Sequence, residues 1–366
     1  MVEFVVRVPE STAHWQSVFL AGDGPVFGDW SANGVRLDHW GDGTHRAVLA
    51  LPPGFRGRFV VTLGHWRQTE SDGNGGERFP RELHVDGPAT VEAHVAGWGR
   101  TSIHHYPDFA SEYLPHKRSI WVWLPPGYDH EPHRRYPVLY MHDGQNLFDP
   151  HIAYGGNPWW ADEVAEREIR AGRTQPFIIV GVGNTQDRLQ EYGPRRGGRT
   201  HEADWSREYG RFLVEEVKTA ADASYRTLQG PEHTGVGGSS MGGLISLHLC
   251  KWYPSVFGKC AALSASLWWD REYFLQNTHV APEWLTRCRV WIDMGTREGG
   301  SEAGMASMLD RVRRLADQFT RRGMRQGEHF QVEEVEGGGH NESAWSNRLD
   351  RVLRFLFGTA TEGNPS

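Results

Sequence analysis

The sequence has little cysteine, no long apolar run and no excess of positive charge. Its three cysteines, Cys250, Cys260 and Cys288, are an odd number in core-like segments, which favours buried reduced thiols over a disulfide framework or a metal site. No apolar run approaches the ~20 residues that a membrane span requires. The net charge of −7 argues against nucleic acid or an anionic membrane as the main partner.

The first residues also lack a basic stretch followed by an apolar one, which is the pattern of a secretory signal. As written, the sequence predicts a cytoplasmic protein, or a secreted one if a leader has been trimmed. Its 366 residues, 38% apolar and 23% charged, exceed one average domain and predict two domains with a sizeable core.

Residues 1–100 predict an immunoglobulin-like all-β sandwich. Short β-rich runs lie at 18–20, 47–51 and 59–63. Closely spaced short strands with turn signals between them are typical of sandwich domains. Glycine-rich turns separate the runs at 41–43 and 72–76.

This region resembles the starch-binding sandwiches of carbohydrate-binding families 20 and 48. The resemblance rests on Gly22, FGDW at 27–30, a GDGT turn at 41–44 and GHW at 64–66. It implies that Trp30, Trp40 and Trp66 could stack on sugar rings. The alternative is that Trp30 and Trp66 belong to the core of a domain that only packs against its neighbour.

Residues 101–358 predict a mostly parallel sheet covered by helices, because strand-like runs alternate with helical patterns. The helical pattern at 302–322 has apolar residues three and four apart and ends at Gly323. The tail at 359–366 predicts disorder. The predicted strands lie at 120–124, 137–141, 177–180 and 290–292.

The pentapeptide GSSMG at 238–242 lies between a short strand, 234–237, and an apolar helical stretch. A G-x-S-x-G motif at such a corner is the nucleophile elbow of an α/β-hydrolase fold, in which the tight turn requires small neighbours of the serine. Ser240 is therefore the candidate nucleophile. The following helix points its N-terminus at Ser240, where it can help to stabilise an oxyanion.

A serine nucleophile needs a base, and the base needs an acid, in the chain order Ser, Asp or Glu, His. Downstream of Ser240 the acid candidates are Asp293 and Glu298, and the base candidate is His340. His340 follows three glycines, which let the backbone turn sharply after a strand.

Two amides are candidates for the oxyanion hole, which needs preorganised N–H donors. The amide of Met241 directly follows the nucleophile. The second donor is expected from the loop HDGQN at 142–146, where Gly144 lets the chain bend and the amide of Gln145 can face the site.

Together these segments resemble the esterase D / enterochelin esterase-like branch of the α/β-hydrolases, over residues 115–358. By that resemblance Ser240 is the nucleophile, His340 the base and Glu298 the acid. Relatives often have Asp where this chain has Glu298, and Asp293 is a competing carboxylate, although its place within a predicted strand favours a structural role. Feruloyl, acetyl-sugar and siderophore-lactone esterases share the pattern. The matching segments are LPPGY at 124–128, MHDGQ at 141–145, RLQEY at 188–192, the elbow, SASLWW at 264–269, GTRE at 295–298 and GH at 339–340.

The sequence signal for the residues around the triad is weaker than the signal for the triad itself. Arg188 and Glu191 are predicted to form an ion pair beside the cleft. For the tryptophans the alternative to a cleft wall is the core. The candidates for the substrate cleft are Asp143, Trp159, Trp160, Trp268 and Trp269.

The pattern as a whole predicts a serine carboxylic-ester hydrolase that works through an acyl-enzyme, without cofactor or metal. Its expected partner is a small-molecule or carbohydrate-linked ester: a sugar-acyl, feruloyl-type or siderophore-lactone ester. Two alternatives remain open. One is an acyltransferase on the same fold, and the other is a carbohydrate-binding protein with an idle hydrolase domain.

Overall fold

The structure is a computed structural model. The predicted boundary near residue 100 and the turn at 72–76 lie outside the described residues, and so does the tail except Thr359. No helix in the described part of the chain is long and apolar enough to cross a membrane. The structure describes residues 1–10, 12, 16–40, 42–71, 80–99, 103–196, 204–279 and 283–359.

Residues 1–99, here called the N-terminal region, are β-rich, as predicted. Seven of the strands form one sheet in the order β7-β5-β2-β3-β4-β1-β8, and β6 pairs with β9. The immunoglobulin-like sandwich stays a prediction. The strands are β1 Val2–Arg7, β2 Val18–Gly22, β3 Val35–His39, β4 Thr44–Leu49, β5 Phe55–Thr62, β6 Glu70–Ser71, β7 Arg81–Val85, β8 Ala89–His94 and β9 Gly97–Trp98.

The core of this region follows from alternation along β1, because successive side chains of a strand point to opposite faces. Val2, Phe4 and Val6 are fully buried, while the residues between them are partly exposed. The ring of Phe4 packs edge-on against the rings of Phe27 and Phe59, with centroids 5.6 and 5.5 Å away.

Residues 103–359, here called the C-terminal region, contain a sheet in the order β10-β11-β13-β12-β14-β15-β16-β17. The pairs from β13 to β17 are parallel, whereas β10, β11 and β13 pair antiparallel. The predicted strand positions are confirmed, and the architecture is that of an α/β-hydrolase. The strands are β10 Ile103–Phe109, β11 Arg118–Trp123, β12 Val138–His142, β13 Ile178–Val182, β14 Thr234–Ser239, β15 Lys259–Leu263, β16 Arg289–Gly295 and β17 Phe330–Val335.

Helices cover this sheet. The amphipathic helix predicted at 302–322 is α8, and the three cysteines are free and buried, as predicted. The helices are α1 Ala161–Arg170, α2 Arg188–Tyr192, α3 Ser206–Arg211, α4 Lys218–Ser224, α5 Met241–Trp252, α6 Trp269–Gln276, α7 Glu283–Arg287, α8 Glu302–Arg321, α9 Glu342–Ser346 and α10 Leu349–Phe357.

The N-terminal region contacts the beginning of α1. The guanidinium of Arg67 lies 2.6 Å from the carboxylate of the buried Asp162. The amide of Trp66 donates to Oε2 of Glu163 at 2.9 Å. These contacts anchor one loop of the N-terminal region to the first helix of the C-terminal region.

Two of the three predicted sugar-stacking tryptophans belong to the core. Trp30 and Trp66 are 1% and 3% exposed, and their rings pack against each other at 6.3 Å. Trp40 is 51% exposed, with the guanidinium of Arg46 lying 4.5 Å from its ring centroid. Of the three rings, only that of Trp40 is therefore open to a ligand.

Candidate active site

Ser240 lies at the corner between β14 and α5 with φ 56° and ψ −119°. A positive φ is costly for a residue other than glycine, and such strain is typical of functional sites. The corner can be this tight because Gly238 and Gly242, two residues to either side of Ser240, lack side chains. A Cβ atom on Gly238 or Gly242 would lie only 3.1 or 3.3 Å from Cβ of His142.

The structure brings Ser240, His340 and Glu298 together. Nε2 of His340 lies 3.0 Å from Oγ of Ser240, and Nδ1 of His340 lies 2.7 Å from Oε2 of Glu298. An ionised carboxylate only accepts hydrogen bonds, so Nδ1 must carry the proton that it shares with Glu298. Nε2 of a neutral ring is then an acceptor for the Ser240 hydroxyl. This is the arrangement that a general base requires.

Glu298 is held as a carboxylate although it is only 1% exposed. Its second oxygen, Oε1, accepts hydrogen bonds from the Ser264 hydroxyl at 2.6 Å and from the Gly295 amide at 2.8 Å. Burial alone would raise the pKa of Glu298, but the hydrogen bonds from His340, Ser264 and Gly295 outweigh it and lower the pKa. The residue can therefore stay charged beside His340.

Asp293, the competing acid, lies behind the triad in β16 and is fully buried. Its oxygens accept from the Ser264 amide at 3.0 Å and from Nε1 of Trp291 at 2.7 Å. The guanidinium of Arg348 lies 3.2 Å away. Among the described residues these polar partners surround Asp293, and His340 contacts Glu298 instead.

Glu298 is supported by Ser264, which lies in the matching segment SASLWW, and by two residues that the sequence did not single out, Trp345 and Arg348. Oγ of Ser264 accepts hydrogen bonds from Nε1 of Trp345 at 2.9 Å and from Nη2 of Arg348 at 2.7 Å, while it donates to Glu298. The ring of Trp345 also packs edge-on against that of His340, with centroids 5.0 Å apart. The only sequence signal for Trp345 and Arg348 is their position three residues apart, shortly after His340.

Both predicted oxyanion donors lie at turns that border the site. Met241 is the first residue of α5, so its N–H has no acceptor within the helix. Gln145 is the middle residue of a 3-10 turn, Gly144–Asn146, that follows β12. That turn approaches β13 so closely that a Cβ on Gly144 would lie 2.5 Å from the carbonyl carbon of Gly181, which explains the glycine.

The predicted ion pair between Arg188 and Glu191 is wrong. Arg188 binds Asp143 through two hydrogen bonds of 2.7 and 2.8 Å. Glu191 binds Arg118 of β11 through two others, of 2.7 and 2.9 Å, and neither of these two side chains is exposed. The partners of both α2 residues thus lie on other elements, Asp143 directly after β12 and Arg118 in β11.

Asp143 is a fixed part of the cleft border. It is 7% exposed, has φ 57° and accepts a further hydrogen bond from Nδ2 of Asn184 at 2.6 Å. Glu342 lies on the same side, and its Oε1 accepts from Nδ2 of Asn146 at 3.3 Å. Burial, together with the charge of Asp143, raises the pKa of Glu342. The two carboxyl groups at this border of the cleft, Asp143 and Glu342, are therefore already hydrogen-bonded to other side chains of the protein.

The candidate cleft tryptophans divide into two groups. Trp159 is a core residue and not a cleft wall, since it is 3% exposed and its ring packs against Trp345 at 5.9 Å. Trp268 is 44% exposed, two residues after Ser266, whose Oγ lies 3.2 Å from Oγ of Ser240. Trp269 is half-buried under the guanidinium of Arg195. The roles of Trp268 and Trp269 in the cleft stay predictions.

Comparison with known proteins gives a family and a fold. The family described as "Putative esterase" matches residues 111–356. The uncharacterized protein YbbA of Bacillus subtilis is 22% identical over 68% of this chain and 96% of its own length. An iron(III) enterobactin esterase of Dickeya dadantii is 26% identical over 68% of this chain, and the match spans 54% of that protein.

One solved structure extends the likeness to the N-terminal region. The enterobactin esterase FES of Shigella flexneri, in the presence of enterobactin, covers 97% of this chain and 92% of its own. The TM-score is 0.53 and the sequence identity 14%, so this comparison shows a shared fold.

Proposed function

Since the chain belongs to the "Putative esterase" family and is an ester hydrolase, we propose that it works through an acyl-enzyme on Ser240. The observation that carries the proposal is the continuous hydrogen-bonded path from Oγ of Ser240 through the ring of His340 to Glu298, with distances of 3.0 and 2.7 Å. Each residue type in this path performs the step that the serine-hydrolase mechanism needs at that place.

In the first half-reaction, Nε2 of His340 accepts the Ser240 proton while Oγ attacks the ester carbonyl carbon. Glu298 holds the ring in the tautomer that leaves Nε2 free to accept, and it stabilises the imidazolium that forms. The C–O bond to the alcohol then breaks, and His340 gives its proton to the leaving oxygen. This leaves the acyl group on Ser240.

In the second half-reaction, water takes the place of the alcohol. His340 accepts a proton from the water, the hydroxyl attacks the acyl carbon, and Ser240 leaves with the proton returned from His340. In both half-reactions we propose that the amide N–H groups of Met241 and Gln145 donate hydrogen bonds to the developing oxyanion. Such preorganised donors commonly account for roughly 10²- to 10³-fold in kcat.

The substrate class we propose is an ester whose acyl or alcohol part is aromatic or a sugar: a feruloyl-type, sugar-acyl or siderophore-lactone ester. Related proteins named as enterobactin esterase and ferulic acid esterase support this range. The exposed ring of Trp268, near Ser266 and the nucleophile, is the group that we assign to contact such a substrate.

The test is a rate comparison across p-nitrophenyl esters of rising chain length, methyl ferulate, acetylated xylan and a catechol-siderophore lactone. Ser240→Ala should lower kcat by roughly 10⁴-fold or more, with the folded state intact. The matched control is Ser239→Ala, one residue earlier in β14, which should stay active.

Mass spectrometry after a fluorophosphonate probe should find the adduct on Ser240. An active Ser240→Ala protein, or an adduct elsewhere, would show that the elbow serine is not the nucleophile. Product analysis with an added sugar or alcohol distinguishes hydrolysis from acyl transfer. Transfer that dominates over hydrolysis would replace the proposed reaction by an acyltransferase.

A further inference from the structure

A pocket of about 460 Å³ lies where the N-terminal region meets α1 and the connection between α9 and α10. Asn33 and His65 line it from the N-terminal region. Trp160 directly before α1, Glu163 of α1 and Asn347 of the connection line it from the C-terminal region. The lining residues do not include Ser240, Glu298 or His340. The pocket is therefore separate from the triad, and its volume is within the range of ordinary ligand sites.

Trp160 gives the pocket its aromatic wall. The residue directly precedes α1 and has φ 51° and ψ 41°, a left-handed conformation that is costly for a bulky side chain. Trp160 is half-buried, whereas Trp66, which also lines the pocket, is only 3% exposed and packs against Trp30. Of these two rings, Trp160 has the surface that a ligand can contact.

Glu163 gives the pocket a carboxyl group with spare hydrogen-bonding capacity. Its Oε2 accepts from the Trp66 amide at 2.9 Å, while its Oε1 is buried and has no hydrogen-bond partner among the described residues. Burial, with a contribution from the charge of Asp162, raises the pKa of Glu163 to about 7. Near neutral pH the carboxyl can therefore both donate and accept hydrogen bonds.

The other charged groups of the lining are already paired. Arg167 lies 3.1 Å from Glu168, and Asp350 lies 3.2 Å from Arg354. Charged groups of both signs thus line the pocket, and with them Glu163, whose Oε1 has no partner among the described residues, so that neither an anion nor a cation is favoured. The lining favours a neutral ligand with many hydroxyl groups.

We propose that this pocket binds the ring of a neutral sugar. The apolar C–H face of the sugar ring lies against the indole of Trp160. The hydroxyl groups at the edge of the sugar then face the polar side chains around Trp160. Asn33, Glu163 and Asn347 hydrogen-bond the hydroxyls around that edge. The proposal is independent of the proposed function, since binding at this pocket needs no turnover at Ser240.

A bound sugar would lie close to Trp345, the residue whose ring packs against His340. Ser346, which lines the pocket, donates a hydrogen bond of 2.7 Å to the Trp159 carbonyl. The preceding residue, Trp345, packs against the His340 ring. The sugar can be free, or it can be the carbohydrate part of an ester whose acyl group reaches Ser240.

Isothermal titration calorimetry with the full-length Ser240→Ala protein tests the proposal, because esters then stay intact during the measurement. The probes are xylotetraose, maltotetraose and cellotetraose, each free and acetylated. We expect binding of at least one neutral oligosaccharide at millimolar concentration or below. Adding Trp160→Ala should weaken that binding by at least about tenfold.

Trp40→Ala tests the competing site, since Trp40 is the predicted sugar-stacking ring of the N-terminal region that is open to a ligand; binding at the pocket predicts that this variant leaves the affinity unchanged. Asn347→Ala, in the connection that lines the pocket, is the second pocket variant and should also weaken binding. Circular dichroism verifies that each variant is folded. Binding of the free oligosaccharides identifies a free sugar as ligand, and binding of the acetylated ones alone identifies the sugar part of an ester.

The proposal is overturned if none of the neutral oligosaccharides binds at millimolar concentration. It is equally overturned if Trp40→Ala abolishes binding while Trp160→Ala and Asn347→Ala leave it intact. A wild-type protein that hydrolyses p-nitrophenyl acetate and binds no sugar would overturn this proposal while leaving the proposed hydrolase function in place.

Discussion

The hydroxyl of Ser264 donates a hydrogen bond of 2.6 Å to Oε1 of Glu298, the carboxylate oxygen that does not contact His340. The same hydroxyl accepts from Trp345 and Arg348. One small side chain thus holds Glu298, the proposed acid, by the carboxylate oxygen that faces away from His340. The orientation of Glu298 therefore depends on Ser264 as well as on His340.

Ser264→Ala should lower kcat by roughly 10-fold, because partners that orient a catalytic group typically contribute about 10- to 100-fold. KM should change little, since Ser264 is buried behind the triad. Steady-state kinetics measures both. The matched control is Ser246→Ala, which removes a buried hydroxyl of α5 that donates to the Gly242 carbonyl. Equal losses in both variants would show that Ser264 has only a general structural role.

Glu298→Gln should cost far more activity than Asp293→Asn. Only Glu298 contacts Nδ1 of His340, and loss of the correct tautomer in a comparable triad costs roughly 10⁴-fold in kcat. Asp293→Asn should act mainly on stability, because it weakens the contact with the buried Arg348. The measurements are kcat/KM and urea unfolding of both variants. A reversed ranking of the activities would assign the acid to Asp293.

Glu163→Gln should change how stability depends on pH. The pKa of Glu163 is about 7 in the folded protein, against 4.5 for an unperturbed glutamate, so the folded state binds a proton that the unfolded state has lost in this window. The stabilising contribution of Glu163 is therefore full below pH ~4.5 and disappears as the pH rises through ~7. Since one pKa unit corresponds to about 1.4 kcal/mol, the loss is on the order of 3 kcal/mol.

Glutamine cannot titrate, so the variant should gain stability relative to the wild type as the pH rises through this window. Urea unfolding of both proteins at several pH values between about 4 and 8 measures the difference. Parallel stability curves of the two proteins would contradict the prediction, because they would mean that Glu163 has the same pKa in the folded and unfolded states.

Arg118→Met should destabilise the protein by about 3–5 kcal/mol, because it leaves the fully buried Glu191 without its partner. Replacing both residues, in Arg118→Met/Glu191→Leu, should recover much of that loss. Arg134→Met is the control: its partner Glu131 is exposed, and surface pairs of this kind contribute about 0–1 kcal/mol. Similar free energies of unfolding for Arg118→Met and Arg134→Met would contradict the prediction.

Local sequence patterns predicted the parts of the fold that depend on local chemistry. The elbow at Ser240 could be found because a turn with this φ requires small neighbours, and α8 because its apolar residues repeat three and four apart. Strand β10, IHHYPDF, was missed because it lacks alternation. It is an edge strand, which is where a proline such as Pro107 is tolerated.

Long-range partners could not be predicted in this way. Arg118 of β11 and Glu191 of α2 are 73 residues apart in sequence, and their pairing depends on how the folded chain brings these two elements together. Ser264 and Trp345 are 81 residues apart and meet only once α9 is in place. Trp159 was ambiguous because a buried tryptophan and a cleft tryptophan look the same in the sequence.

The separation between Ser240 and His340 has a consequence for biosynthesis. The two residues are 100 positions apart, with the proposed nucleophile first. At translation rates of about 5–20 residues per second, a nascent chain contains its serine for roughly 5–20 s before its histidine is made. During that time Ser240 has no base. In the proposed mechanism the growing polypeptide therefore cannot attack cellular esters until the last strand of the sheet and the glycine loop after it have been synthesised.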